Sequence, residues 1–171
     1  LLHTAYERFT DDAIDDSFTA DQELMVRFGE FVEKTEWLRD YALFMAGKDY
    51  HEGAPWYLWE DTLKNPNKKE RIKWESKLAH EMGYYEFIQF LFFEEWAKLK
   101  KYANDKGISI IGDIPIFMAW DSADVWANKK LFQLDTKGYP KVVAGVPPDY
   151  FSATGQLWGN PLFRWEAMRA D

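Results

Sequence analysis

The segment ISIIGDIPIF, residues 108–117, decides the fold. It is a near-continuous run of β-branched and aromatic residues with no polar alternation. A run of this kind reads as a parallel strand buried on both faces. Gly107, just ahead of it, reads as the C-terminal cap of a long helix. That helix is predicted over 68–104, with an interruption near Gly83. In its second half Ile88, Leu91, Phe92, Trp96, Leu99 and Ala103 fall on one stripe, which is expected to bury against the strand. Helix, short glycine turn and buried strand make the repeat of an α/β protein, so the fold class is α/β.

Upstream, the pattern from residue 1 to about 44 is helical. Leu2, Tyr6 and Phe9 share one face. Asp21 is placed to cap a helix carrying Leu24, Phe28, Phe31 and Val32. Trp37, Leu38, Tyr41, Ala42 and Met45 form a further stripe ended by Gly47. The stretch HEGAPWYLWEDTLKNPNK is broken by Gly53, Pro55 and Pro66 and reads as an irregular connection with one short helix. Downstream, Asp121 and Ser122 open a short helix through Val125 and Trp126. LFQLDTKGYPKVVAG reads as a hairpin turning at residues 136–138.

Composition narrows the function. The chain has 171 residues, 47% of them hydrophobic, with nine Trp, nine Tyr and thirteen Phe. Such a chain buries a core and still has aromatic rings left for a binding surface. Its net charge of −8 argues against a nucleic-acid groove and against an anionic membrane surface. It has no cysteine, which removes thiolate chemistry and suits a cytoplasmic protein. There is no apolar run of membrane-spanning length. His3, His51 and His80 are scattered, so no metal site is expected. No phosphate-binding glycine loop and no GxSxG nucleophile motif is present. Both ends fall within helical patterns, so the chain is expected to be an internal fragment.

Two places offer chemistry. Asp113 lies toward the C-terminal end of the predicted strand, where parallel α/β folds bind their ligands. The other reading is an Asp that bonds neighbouring backbone and holds a bend. Asp121 and Asp124 read as the acidic first turn of a capped helix. The second place is VPPDYFSATGQLWGNP, residues 146–161. Three prolines and two glycines make it neither a helix nor an ordinary strand. Yet it carries Tyr150, Phe151 and Trp158, flat apolar faces ringed by Asp, Asn, Gln, Ser and Thr. That combination suits a sugar, with its apolar ring face and polar edge. A loop folding its rings back onto the core is the alternative.

IIGDIPIFMAWDSADVWANKKLFQLD and VAGVPPDYFSATGQLWGNPLFRW closely resemble the 4-α-glucanotransferases of glycoside hydrolase family 77, the amylomaltase group. WLRDYALFMA and FIQFLFFEEWAKLKKYANDKGI extend the likeness upstream. Met118-Ala119-Trp120 and Phe163 stand where that family varies. The resemblance implies a partial (β/α)8 TIM barrel with a helix-rich insertion. Residues 1–80 would be the helical insertion and 81–171 part of the catalytic barrel with the start of a loop insertion. It implies transfer of α-1,4-glucan segments between maltooligosaccharides by the retaining two-carboxylate route, with no metal or organic cofactor. Asp113 matches a substrate-contacting Asp of a barrel strand. Asp149, Tyr150 and Phe151 match an acceptor-side loop, and Trp158 and Asn160 its return toward the donor side. The family's nucleophile and acid/base motifs do not occur here, so no catalytic residue is assigned and the fragment alone is expected to be inactive. The alternative function is a stand-alone α-glucan-binding or protein-interaction module without catalysis.

Overall fold

The computed structural model describes residues 1–12 and 19–170, with backbone alone for residues 12 and 19–21. In chain order the elements are α1 (Leu2–Asp12), α2 (Thr19–Lys34), α3 (Leu38–Tyr50), α4 (Asp61–Lys64), α5 (Lys68–Lys77), α6 (Ala79–Asp105), α7 (Ala123–Ala127), β1 (Val143–Val146), β2 (Gln156–Pro161) and α8 (Trp165–Ala170). Short 3-10 turns lie at Trp56–Leu58 and Lys129–Leu131. These elements form two compact units, one from Leu1–Ala46 and Trp74–Gly112, the other from Gly47–Lys73 and Asp113–Asp171. α2 starts at Thr19, two residues ahead of the expected cap at Asp21, whose side chain lies outside the described residues.

The first unit is held by aromatic rings on matched helical rows. Phe28 and Phe31 step by three along α2, and Phe87, Phe90 and Phe93 do the same along α6, so both rows lie on one helix face. Phe28 meets Phe90 at 5.6 Å and Phe31 meets Phe93 at 5.6 Å between ring centroids. Phe9 of α1 stacks on Phe87 at 4.7 Å. Leu38, Ala42 and Leu43 of α3 are fully buried. α6 runs unbroken through Gly83, against expectation. Gly83 is a contact residue, not a breaker: a Cβ there would lie 2.2 Å from the Tyr6 hydroxyl oxygen. Gly107 ends α6 at φ +75 in a Schellman motif, its N–H donating to Asn104 O at 2.9 Å and that of Ile108 to Ala103 O at 3.0 Å.

The expected strand at 108–117 is absent. Among the described residues the only named strands are β1 and β2, and they pair antiparallel with each other. A strand exists only as part of a ladder, and none stands beside this segment. Its isoleucines are open to solvent, Ile111 at 94%. The stripe on α6 is likewise uncovered beyond Phe93: Trp96 is 38% exposed and Leu99 more so. The expected burial of that stripe against a strand is therefore not found.

The second unit is built on indoles. Trp56, Trp59 and Leu63, in the stretch that reads as an irregular connection, are all buried, as are Val125 and Trp126 of α7. Each of these indole N–H groups donates to a main-chain carbonyl: Trp56 to Trp120 O at 2.7 Å, Trp59 to Ala54 O at 2.9 Å and Trp126 to Leu63 O at 3.1 Å. Gly47 lies inside α3 and does not end it. A Cβ there would come within 3.0 Å of the Trp59 ring, so the glycine lets the indole seat. Asp121 joins the unit through Lys48 at 2.6 Å and the Trp56 N–H at 3.1 Å. Ser122 caps α7, its Oγ accepting from Val125 N. The expected turn at 136–138 forms, with Asp135 Oδ1 accepting from Lys137 N and Tyr139 N. Only one bridge, Leu134 with Pro140, follows it; β1 pairs further on with β2.

Lys129 Nζ sits in this core. It donates to Lys64 O and Trp126 O, both at 2.7 Å, and lies 5.1 Å from the Trp56 ring centroid. Burial, then the neighbouring Lys64 charge, push its pKa down to about 8. A folded-state pKa below the unfolded value means that the unfolded chain binds more protons, so this group's contribution to stability rises with pH from about 8 toward 10.5.

Two outcomes are expected. Chemical denaturation at pH 7 and pH 10 shifts the wild-type minus Lys129→Met stability difference in the wild type's favour by about 1–2 kcal/mol, after allowance for solvent screening; an unchanged difference places the lysine pKa at its ordinary value. Gly83→Ala lowers stability by about 1–3 kcal/mol through the clash with Tyr6, more than the helix-propensity gain returns. In a Tyr6→Phe background the same change costs measurably less, and a double-mutant cycle reads the coupling.

Candidate functional site

All six expected binding residues fall in the second unit. Residues 147–155 form the loop that joins β1 to β2. The strands pair Gly145 with Leu157 and Val146 with Gln156, and a register shift follows between Val143 and Gly145. QLWGNP is therefore strand β2, within a segment that the sequence reads as neither a helix nor an ordinary strand. Its irregularity resides in Gly159, which takes φ +79.

Asp149 organises the loop tip. Its Oδ1 accepts from Phe151 N at 2.9 Å and Ser152 N at 2.8 Å, and its own N–H donates to Ser152 O at 2.9 Å. Ser152 Oγ donates to Gly155 O at 2.7 Å, and Gly155 N returns to Ser152 O at 3.2 Å. Gly155 has φ +75, and a Cβ there would lie 2.5 Å from Val146 O. Only glycine closes the loop at this approach. With its main chain tied down, the tip has no route to fold its rings back. Tyr150 is 97% exposed and Phe151 89%, and the two rings meet edge to face at 5.7 Å.

The return strand is anchored differently. Trp158 meets Phe117 edge to face at 5.8 Å and its Nε1 donates to Gln156 Oε1 at 2.9 Å. Asn160 Nδ2 donates to Met118 O at 2.9 Å. The structure thus brings Trp158 and Asn160 onto the segment that starts at Asp113, and groups Asp149, Tyr150 and Phe151 at the tip. Asp113 is exposed, and its Oδ1 accepts from Ile114 N at 2.8 Å, a purely local bond. The supporting roles of Phe117, Met118, Ser152 and Gly155 were not foreseen. Of these only the glycine carried a sequence signal.

A separate cleft of about 490 Å³, lined by Gln133, Lys141, Phe163, Arg164, Trp165 and Glu166, contains none of the expected residues. Among the described residues no group of three or more His, Cys, Asp or Glu side chains is placed to hold a metal ion. Among these residues no helix is long and apolar enough to cross a membrane. What the site presents is flat aromatic faces beside exposed carboxylates and a half-buried amide.

Comparison with known proteins shows what the chain is similar to. The sequence profile of the 4-alpha-glucanotransferase family matches residues 1–171. The 4-alpha-glucanotransferase of Thermus thermophilus is 52% identical over 145 residues, which cover 84% of this chain and 29% of that protein. The Synechocystis protein of the same name is 50% identical over 145 residues, with the same coverage of 84% and 29%. The chloroplastic/amyloplastic one of Solanum tuberosum is 46% identical over 140 residues, 80% of this chain and 24% of that one. Among solved structures, an amylomaltase from Streptococcus agalactiae in complex with acarbose superposes with a TM-score of 0.87 at 34% identity, over 99% of this chain and 32% of that one. The chain thus spans about 29% of the length of these bacterial relatives.

Gly155→Ala is expected to open the loop, since it combines a backbone contact with a left-handed conformation that costs about 1–3 kcal/mol. Hydrogen exchange at Val146 and Gln156 should accelerate in the variant. Unchanged protection there would mean that the loop does not depend on this approach.

Proposed function

Because the chain belongs to the 4-alpha-glucanotransferase family, we propose that it supplies part of the substrate cleft of an enzyme that transfers α-1,4-glucan segments between maltooligosaccharides. The observation that carries the proposal is the pinned loop holding Tyr150 and Phe151 almost fully in solvent. Two large rings held outward, with each other as ring partner, fit a ligand with apolar faces, and an α-glucan offers one on every glucose unit.

In this reading the chemistry is retaining. A carboxylate attacks the sugar's anomeric carbon, a carboxylic acid protonates the leaving oxygen, and the glycosyl-enzyme is passed to the 4-hydroxyl of an acceptor. The residues of this chain bind and orient; none of them is assigned as nucleophile or acid. Asp113 holds a sugar hydroxyl beside the scissile bond, exchanging its local bond to Ile114 N for a ligand contact that tightens as the ring flattens. Tyr150 and Phe151 cover the acceptor side, with Asp149 fixing the tip. Trp158 and Asn160 line the donor side. Rings over the intermediate keep water out, and that favours transfer over hydrolysis.

The fold reading goes with this. Residues 81–171 contribute part of a (β/α)8 barrel with the start of a loop insertion, and 1–80 a helical insertion. The uncovered isoleucines of 108–117 support a barrel strand whose neighbours lie outside this chain. We place the protein in the cytoplasm and assign it no cofactor, nucleic acid or membrane partner.

The test uses the full-length enzyme carrying these residues, with maltotriose as substrate. Tyr150→Ala and Phe151→Ala should raise the ratio of glucose released by hydrolysis to glucan transferred, by about five- to tenfold. A ratio that stays constant while both rates fall would remove the shielding role. An inactive wild type would remove the function itself.

A further inference from the structure

Tyr57, Trp120 and Tyr139 form a cluster that the reaction above leaves unused. Tyr57 and Trp120 stack in parallel, with centroids 3.8 Å apart and planes 10° off. Tyr139 tilts against both, 5.6 Å from Tyr57 and 5.2 Å from Trp120. All three rings are partly open to solvent, Tyr139 most of all at 40%. Tyr57 also meets the buried Trp56 edge to face at 5.9 Å, so the cluster lies at the margin of this unit's core, with part of its ring surface open to solvent.

The cluster is rigidly mounted. Trp120 Nε1 donates to Gly138 O at 2.9 Å, and Trp120 O takes the buried Trp56 indole N–H. The turn beneath Tyr139 is held by Asp135 Oδ1, which accepts from Tyr139 N at 2.9 Å. Its location is defined by the chain. Phe117 packs on Trp158 and Met118 O accepts from Asn160; Trp120 follows within three residues, a reach of at most about 10 Å. The cluster therefore lies one short step of backbone from the Trp158 and Asn160 contacts.

We propose that Tyr57, Trp120 and Tyr139 form an outlying subsite for α-1,4-glucan, continuing the path of a chain that passes Trp158 and Asn160; this rests on the glucanotransferase reading. A glucan repeats the same ring, with an apolar face and a hydroxyl edge, so a ligand that suits Trp158 also suits further rings along its path. The stack offers the faces, and the two phenol hydroxyls offer polar partners at the edge. Such a subsite contacts only glucans several units long. It acts equally on bound substrate and transition state, so it lowers KM for long chains and leaves kcat alone.

The experiment measures kcat and KM on maltotriose and on maltoheptaose for the full-length enzyme and for Tyr139→Ala, Tyr139→Phe and Trp120→Phe, with melting temperatures alongside. Tyr139→Ala should lower the maltoheptaose-to-maltotriose ratio of kcat/KM by about fivefold, through KM on the longer substrate. Tyr139→Phe keeps the ring and should keep most of the ratio. Trp120→Phe should lower it as well; should that variant unfold, Tyr139→Ala decides alone, since its side chain is exposed and carries none of the mount. A ratio unchanged in Tyr139→Ala, or an equal loss on both substrates, overturns the subsite. A wild type that transfers from neither substrate instead overturns the reading beneath it.

Discussion

An indole that is fully out of water has to give its N–H a partner, because an unmet donor costs about as much as several good contacts return. Trp56 is such an indole, and the second unit is arranged around meeting that demand. Its Nε1 finds Trp120 O and its main-chain N–H finds Asp121, which Lys48 in turn neutralises. Those three bonds tie the end of α3, the 3-10 turn at Trp56–Leu58 and the segment entering α7. Gly138 lies flat on the ring because any side chain there would strike it, a Cβ falling 2.7 Å from Cη2. The position of residues 117–120, against which the return strand of the loop is fixed, follows from this one buried ring.

What could be read in the sequence was what local rules control. The helices were visible because their apolar spacing is local, as were the Gly107 and Ser122 caps and the turn at 136–138. The aromatic loop is visible because proline and glycine exclude a helix, but whether its rings face solvent or fold back onto the core is decided only by the structure. The importance of Trp56, Trp59 and Leu63 was hidden. A stretch broken by Gly53, Pro55 and Pro66 reads as surface, and only long-range bonds to Trp120 and Asp121 make it core. Gly47 and Gly83 were read as helix breakers, whereas both are places where an aromatic side chain touches backbone; spacing along one helix cannot reveal a neighbour. β2 was obscured because Gly159 and Pro161 mask a strand that is made by its partner.

The segment 108–117 teaches the complementary lesson. Its composition reads as a strand, yet composition cannot supply the ladder. Within these residues the isoleucines stay uncovered, together with Phe92, Trp96 and Leu99 of α6. Uncovered apolar side chains of this size mark an interaction face.

The loop between β1 and β2 spends its conformational freedom at the folding stage. Prolines at 147 and 148, the Asp149 carboxylate on two amides and the tight passage at Gly155 remove alternatives before any ligand arrives. Ordering a flexible loop at the moment of association would subtract from affinity for each side chain immobilised. Here much of that entropy is given up on folding, so under the proposed function a sugar meeting Tyr150 and Phe151 would lose mainly its own freedom, without waiting for the loop to close.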